Sequence, residues 1–185
     1  MARTPSNMIP LGTKAPDFKL FDTISQKYLS LEDLKGVKGT VIMFICNHCP
    51  FVIHINSKIV SIANEYDKKG ISFIAISSND VINYPQDSPE KMAINAKENN
   101  YRFPYLFDDT QQVAQAYDAA CTPDFYMFNS NLKLEYRGQL DDSRPGNGIP
   151  VTGKDLKHAL NCLIDGDENN NIQKPSIGCN IKWKN

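Results

Sequence analysis

Residues 46–50 read Cys-Asn-His-Cys-Pro, two cysteines three positions apart with a histidine between them and a proline after. Three chemistries use such a pair: a redox dithiol, half of a metal site, or a peroxide-reducing thiol. A thiolate attacks a disulfide and a thiol does not, so the pair has to ionise near neutral pH to be useful. A free thiol, with a pKa of about 8.5, is mostly protonated there. If Cys46 opens a helix, unpaired N–H groups and the positive end of the helix dipole face its sulfur. His48 can add a positive charge or a hydrogen bond. Two intervening residues at a helix start also bring the sulfurs within bonding range. This predicts an exposed, ionised Cys46 as attacker and a buried Cys49 as resolver, with Pro50 harmless in the first helical turn. Structural zinc needs four ligands, usually a second Cys-X-X-Cys or a His pair. Cys121, Cys162 and Cys179 supply neither, so no metal and no cofactor are expected.

The elements around the pair have to hold it. Val41–Ile45 is a continuous apolar run, predicting a strand buried on both faces. Phe51, Ile55, Ile59, Ile62 and Tyr66 are spaced 4, 4, 3 and 4, one face of an amphipathic helix ending at Gly70. Residues 71–77 form a second apolar run. Residues 41–77 therefore read as strand, Cys-X-X-Cys turn, helix, strand: a βαβ unit. Upstream, residues 1–10 read as a mobile arm. Phe18 and Leu20, with the alternating stretch 26–31, predict a short N-terminal hairpin. Downstream come a helix over 87–100 opened by an Asp/Ser cap, a strand at 103–107, a helix at 110–118, a hairpin at 121–138 and a helix over 152–166. A polar joint then leads to a tail, in which Ile181 and Trp183 should dock on the body. The fold class predicted is α/β with a mixed sheet flanked by helices.

The 185 residues, 41% hydrophobic, suffice for one sizeable core, so one domain is expected over 1–185, with its core at about 10–166 and a tail at 167–185. The formal net charge of −1 gives no reason to expect nucleic acid or an anionic membrane as partner. No apolar run reaches the roughly 20 residues of a spanning helix, and the N-terminus lacks a secretory pattern, so a cytoplasmic location is expected. Five cysteines, an odd number, cannot all pair within the chain; in a reducing compartment such a motif is more often catalytic or metal-binding than structural.

With Cys46-Asn47-His48-Cys49-Pro50 at a strand-to-helix turn and Cys121-Thr122-Pro123 before a hairpin, the chain resembles the thioredoxin-like superfamily, within it the redoxin and peroxiredoxin-like group. The resemblance covers about residues 10–166 and implies a thioredoxin-like fold with an N-terminal hairpin extension. It implies a thiol-disulfide oxidoreductase working on a protein or small-molecule disulfide with a thiol reductant. The catalytic residues would be Cys46, Cys49 and His48. Thr122 and Pro123 would be substrate-binding, Pro123 matching the family's cis-proline and Thr122 offering backbone groups to an extended substrate segment. The alternative is an antioxidant thiol peroxidase using the same cysteines. A copper carrier is a third possibility, although thioredoxin-like copper chaperones usually place three residues between the cysteines. Thr40 stands where thioredoxins carry a buried acid, and Asp80 is a candidate replacement. In the peroxiredoxin Pro-x-x-x-Thr/Ser-x-x-Cys pattern counted back from Cys49, Ile42 and Cys46 hold the first two positions. Arg137 or Arg144 would supply the cation for a peroxide, against the plainer reading of salt-bridged residues near Asp141 and Asp142. Cys121 reads as a packing residue. Cys179 is a candidate third redox thiol, and His54 and His158 read as surface residues.

Overall fold

The computed structural model describes residues 3–184. In chain order it contains β1 (Arg3–Pro5), β2 (Lys19–Asp22), β3 (Lys27–Ser30), α1 (Leu31–Leu34), β4 (Gly39–Phe44), α2 (Pro50–Asp67) and β5 (Ile71–Ser77). A 3-10 turn (Pro85–Asp87) then precedes α3 (Pro89–Glu98), β6 (Tyr105–Phe107), α4 (Gln112–Ala116), β7 (Cys121–Thr122) and β8 (Asp124–Asn129). The chain ends with β9 (Leu134–Gly138), α5 (Lys154–Asp165) and β10 (Ile177–Asn180).

The apolar run at 41–45 sits where such a run must go. β4 is buried along its whole length, with β5 parallel on one side and β8 antiparallel on the other. Successive side chains of a strand point to opposite faces, and both faces here are core. Val41, Met43 and Ile45 pack with Val52, Ile55, Ile59 and Ile62 of α2 and Leu156 and Leu160 of α5. Ile42 and Phe44 face the second layer, with Tyr117, Tyr126, Phe128 and Leu134. The complete sheet runs β3-β2-β6-β5-β4-β8-β9, with β4, β5 and β6 parallel and the outer pairs antiparallel. This is the mixed sheet flanked by helices that the sequence predicts, and the fold is thioredoxin-like.

Local chemistry sets the element ends. Ser30 and Asp33 form a capping box on α1, satisfying donors that the first turn leaves orphaned. Ser88 caps α3 by accepting the Lys91 N–H, and Pro89 takes the first helical position, where its missing N–H costs nothing. The predicted N-terminal hairpin is present as β2 and β3, in register from Lys19 opposite Ser30 to Asp22 opposite Lys27.

Both chain ends differ from the sequence reading. Of the expected mobile arm, residues 1–2 lie outside the described residues, and Arg3–Pro5 is a strand. It pairs with β10, which pairs in turn with β7, making a second, three-stranded sheet. The reason is tertiary: β1 and β10 are too short to stand alone, and each pairs because the other is beside it. Ser6 locks the assembly by donating to Asp124 Oδ1 at 2.7 Å and accepting the Ser176 N–H at 2.8 Å. Among the described residues no helix is long and apolar enough to cross a membrane.

Candidate active site

The turn after β4 carries Cys46, Asn47, His48 and Cys49, and Cys49 is the N-cap residue of α2 with Pro50 following it. Cys49, the expected resolver, thus sits at the helix mouth, and the Val52 N–H favours its negative charge. Thr122 and Pro123, joined by a cis peptide bond, face the turn. The Cys49 thiol donates to the Thr122 carbonyl at 3.1 Å, and the Cys46 sulfur lies 3.5 Å from the Thr122 hydroxyl oxygen. The structure therefore brings Cys46, Cys49, Thr122 and Pro123 together.

The expectation of a solvent-open, ionised Cys46 needs correction. Cys46 is 2% exposed and Cys49 0%. Cys49 is lowered to about 5, first by the hydrogen bond from Cys46 and then, against burial, by Cys179, Thr122 and the Val52 N–H. Cys46 is raised well above the ordinary thiol value by its bond to Cys49, by burial and by the nearby Asp87 charge. The two thiols are thus coupled: their mutual hydrogen bond favours a negative charge on Cys49 and opposes one on Cys46. The largest cause of the Cys49 shift is its hydrogen bond with Cys46, and the helix contributes only through the Val52 N–H, the smallest of the causes.

His48 lies beside Cys46, and its role is set by a residue that sequence reading missed. Asp87, 0% exposed, accepts the Asn47 N–H at 2.8 Å and the Asn79 side-chain amide at 2.8 Å, and sits 2.7 Å from His48 Nδ1. The sulfur of Cys46 and the nearest ring nitrogen and carboxylate oxygen of His48 and Asp87 all lie within 4.8 Å of one another. His48 also stacks on Tyr84, centroids 5.8 Å apart and rings 7° from parallel. In the sequence Asp87 looks like part of a helix cap. Its placement follows from topology: β4 and β5 are parallel neighbours, so the loops leaving their carboxyl ends share one edge, where α/β sheets place their sites. The bracketing Pro85 and Pro89 were the available signal, marking a stiff loop with one acid inside it. Replacing Asp87 by Asn in a Cys49→Ser background is expected to lower the Cys46 pKa, since it removes a negative charge that opposes the thiolate. Ultraviolet thiolate absorbance against pH reads it, and an unchanged or higher midpoint contradicts the assignment.

The remaining candidates are placed as follows. Asp80 caps its own loop, its carboxylate accepting the Ile82 N–H at 3.0 Å and the Asn83 amide. Thr40 is buried and accepts the Gly36 N–H at 3.1 Å. Arg137 donates to the Ile9 carbonyl and Gln173, and Arg144 to the Asp141 and Ser143 carbonyls and Gln139. Both guanidinium groups are engaged in tying down loops. Cys121 is buried, its thiol donating to the Pro123 carbonyl at 3.7 Å, and burial pushes its pKa far up; it packs. Cys162 is half-buried, 3.6 Å from His158 Nε2. His54 is half-buried, with Nε2 2.7 Å from the Ser143 hydroxyl. Cys179, the candidate third redox thiol, has its sulfur 3.0 Å from that of Cys49. The backbone edge beside Thr122, where a substrate segment was expected, is taken by β10, with Cys179 opposite Thr122 and Asn180 opposite Cys121.

A dithiol at the carboxyl end of the central strand, facing a cis-proline turn, is the arrangement of a thioredoxin-fold protein. Residues 11–137 match the AhpC/TSA family, and the chain belongs to it. It is similar to an uncharacterized conserved protein from Geobacillus kaustophilus, at 59% identity and TM-score 0.98 over 100% of this chain and 97% of that one. A hypothetical protein from Sinorhizobium meliloti 1021 follows at 44% identity and TM-score 0.95, covering 98% of each chain. The thiol-disulfide oxidoreductase ResA of Bacillus subtilis (strain 168) is 28% identical over 128 residues, which are 66% of this chain and 64% of that protein. That match spans less than two thirds of the relative's length.

Proposed function

We propose that this protein is a thiol-disulfide oxidoreductase in which Cys46 and Cys49 cycle between dithiol and disulfide through a mixed disulfide. The observation that carries the reading is geometric: Cys46 and Cys49 share the turn between β4 and α2 and face the cis Thr122–Pro123 turn, with the Cys46 sulfur 3.5 Å from the Thr122 hydroxyl and the Cys49 sulfur 3.1 Å from the Thr122 carbonyl. Loss of the Cys46 proton makes its sulfur the attacking thiolate. Its sulfur attacks one sulfur of the substrate disulfide, and the other leaves with the electron pair and takes up a proton. Cys49 then loses its proton and attacks the Cys46 sulfur, forming the Cys46–Cys49 bond and releasing the second substrate thiol. His48 and Asp87 are the ionisable pair beside the Cys46 sulfur available to relay protons. A separate thiol reductant closes the cycle.

Cys46 is 2% exposed, its neighbours Asn47, His48 and Tyr84 are half-exposed, and β10 covers the Thr122 edge. This narrow access favours a small disulfide or an exposed disulfide loop. It also supports a second reading, a thiol peroxidase, in which peroxide oxidises Cys46 to a sulfenic acid and Cys49 condenses with it, releasing water.

Trapping separates the two. Cys49→Ser protein incubated with glutathione disulfide is expected to accumulate a glutathione adduct on Cys46, read by intact mass and peptide mapping. Rapid sulfenic-acid labelling of Cys46 by peroxide, far faster than a free thiolate reacts, with no mixed disulfide, would replace the first reading by the second.

A further inference from the structure

We propose that Cys179 is a third redox thiol, positioned to take over the bond to Cys49 and move the disulfide from Cys46–Cys49 to Cys49–Cys179. The Cys179 sulfur lies 3.0 Å from that of Cys49, about 1 Å beyond a bonded pair. Cys49 is thus flanked by two thiols, Cys46 from its own turn and Cys179 from a strand 130 positions on.

The placement is built by the backbone. β10 runs antiparallel to β7 with Cys179 opposite Thr122, and it reaches the Thr122–Pro123 turn only because residue 178 is glycine. A Cβ there would come within 1.9 Å of the Thr122 carbonyl oxygen and 2.5 Å of its carbon. β1 covers the outer edge of β10. Simple packing of a small buried residue asks for none of this: free cysteines do fill cores, but packing alone does not call for a sulfur so close to the one sulfur at a helix mouth.

The step balances without an added redox partner. Cys179 loses its proton and its sulfur attacks Cys49 Sγ. The Cys49–Cys179 bond forms and the Cys46–Cys49 bond breaks. Cys46 leaves with the electron pair and takes up a proton, returning as a thiol. The first disulfide comes from a disulfide substrate or, in the assay, from a diazene oxidant. Electrostatics gates the sequence. In the reduced state burial pushes Cys179 up to about 12, and the hydrogen bond and negative charge of Cys49 add to this, while Lys182 opposes. Once Cys49 is in a disulfide its charge and hydrogen bond no longer oppose a Cys179 thiolate; burial still opposes it and Lys182 still favours it. The result holds the disulfide between α2 and β10 and returns Cys46 to the thiol form.

The proposal deepens the dithiol reading, yet its test does not depend on turnover. Cys46→Ser protein is oxidised with diamide, acid-quenched, alkylated and mapped by mass spectrometry. It is expected to lose two of its four remaining thiols and to yield a Cys49–Cys179 linked peptide. Cys46→Ser/Cys179→Ser is expected to keep its three. A Cys46→Ser protein that keeps all four thiols, or that links Cys49 only to Cys162 or to a second copy, overturns the proposal. Circular dichroism checks the fold of each variant. Wild-type protein under the same oxidation is expected to show both linkages, and a Cys46–Cys49 bond alone at every time point also overturns it. Failure of the glutathione trapping with a positive map would reject the dithiol enzyme and leave the Cys49–Cys179 exchange standing.

Discussion

Gly178→Ala is expected to destabilise the protein by about 3 kcal/mol, the upper end of what overpacking in a tight site costs. The cause is a single atom. A Cβ at 178 would sit 1.9 Å from the Thr122 carbonyl oxygen, 2.5 Å from its carbon and 3.0 Å from the Pro123 nitrogen. All three are backbone atoms, so no side chain can rotate away. Either the tail lifts or the turn opposite the cysteines shifts. Lifting is the easier response, because β10 is held mainly by β1 and β7, strands of three and two residues. Denaturant unfolding reads the loss, and hydrogen exchange locates it: amides of β1, β7 and β10 should exchange much faster than those of β4 and β5. Alkylation of Cys49 and Cys179 should rise in parallel as the cover comes off. A variant with wild-type stability and unchanged exchange in β10 would show that the strand does not press on the turn.

Asp124→Asn is expected to change how stability depends on pH, by about 4 kcal/mol across the window below. Asp124 is fully buried at the start of β8, and burial pushes its carboxyl up to about 7, against hydrogen bonds from the Ser6 and Tyr126 hydroxyls and the Phe125 N–H. Its folded pKa therefore exceeds the unfolded value of 3.8. Below that value both states hold the proton and stability is intact. Between there and about 7 the unfolded state gives up its proton while the folded state keeps it, so stability falls as pH rises. Above about 7 the loss is complete. Asparagine cannot ionise, so the variant should gain on the wild type steadily from pH 4 to 8. Cys49 titrates in the same window in both proteins, and the difference between them cancels its effect. Urea melts at four pH values measure the gap; parallel curves would refute the assignment. The residue matters to the site because Asp124 directly follows Pro123 and, through Ser6, anchors the N-terminal segment over β10.

The βαβ unit around Cys46 and Cys49 was legible because its signals are local. An apolar run marks a buried strand, a 3.6-residue period marks a helix face, and Gly70 marks its end. Residues 71–77 became β5 with the predicted bounds, and Thr122-Pro123 came to face the cysteines in the cis form the resemblance implied. Asp87, by contrast, carries no mark of proximity to a sulfur 41 positions away. Only the parallel pairing of β4 with β5 puts their exit loops side by side. The same holds for the tail: Ile177–Asn180 is too short and weakly patterned to announce a strand, and β1 shorter still.

What residue order determined on its own was the dithiol and the strand and helix that hold it, since spacing and periodicity act within one or two turns of chain. What tertiary structure decided was which groups surround each sulfur, whether solvent reaches it, and which third thiol lies beside it. Those depend on burial and on polar groups arriving from positions 87, 122 and 179, and through-space electrostatics is set by distance in the fold, to which separation along the chain gives no guide.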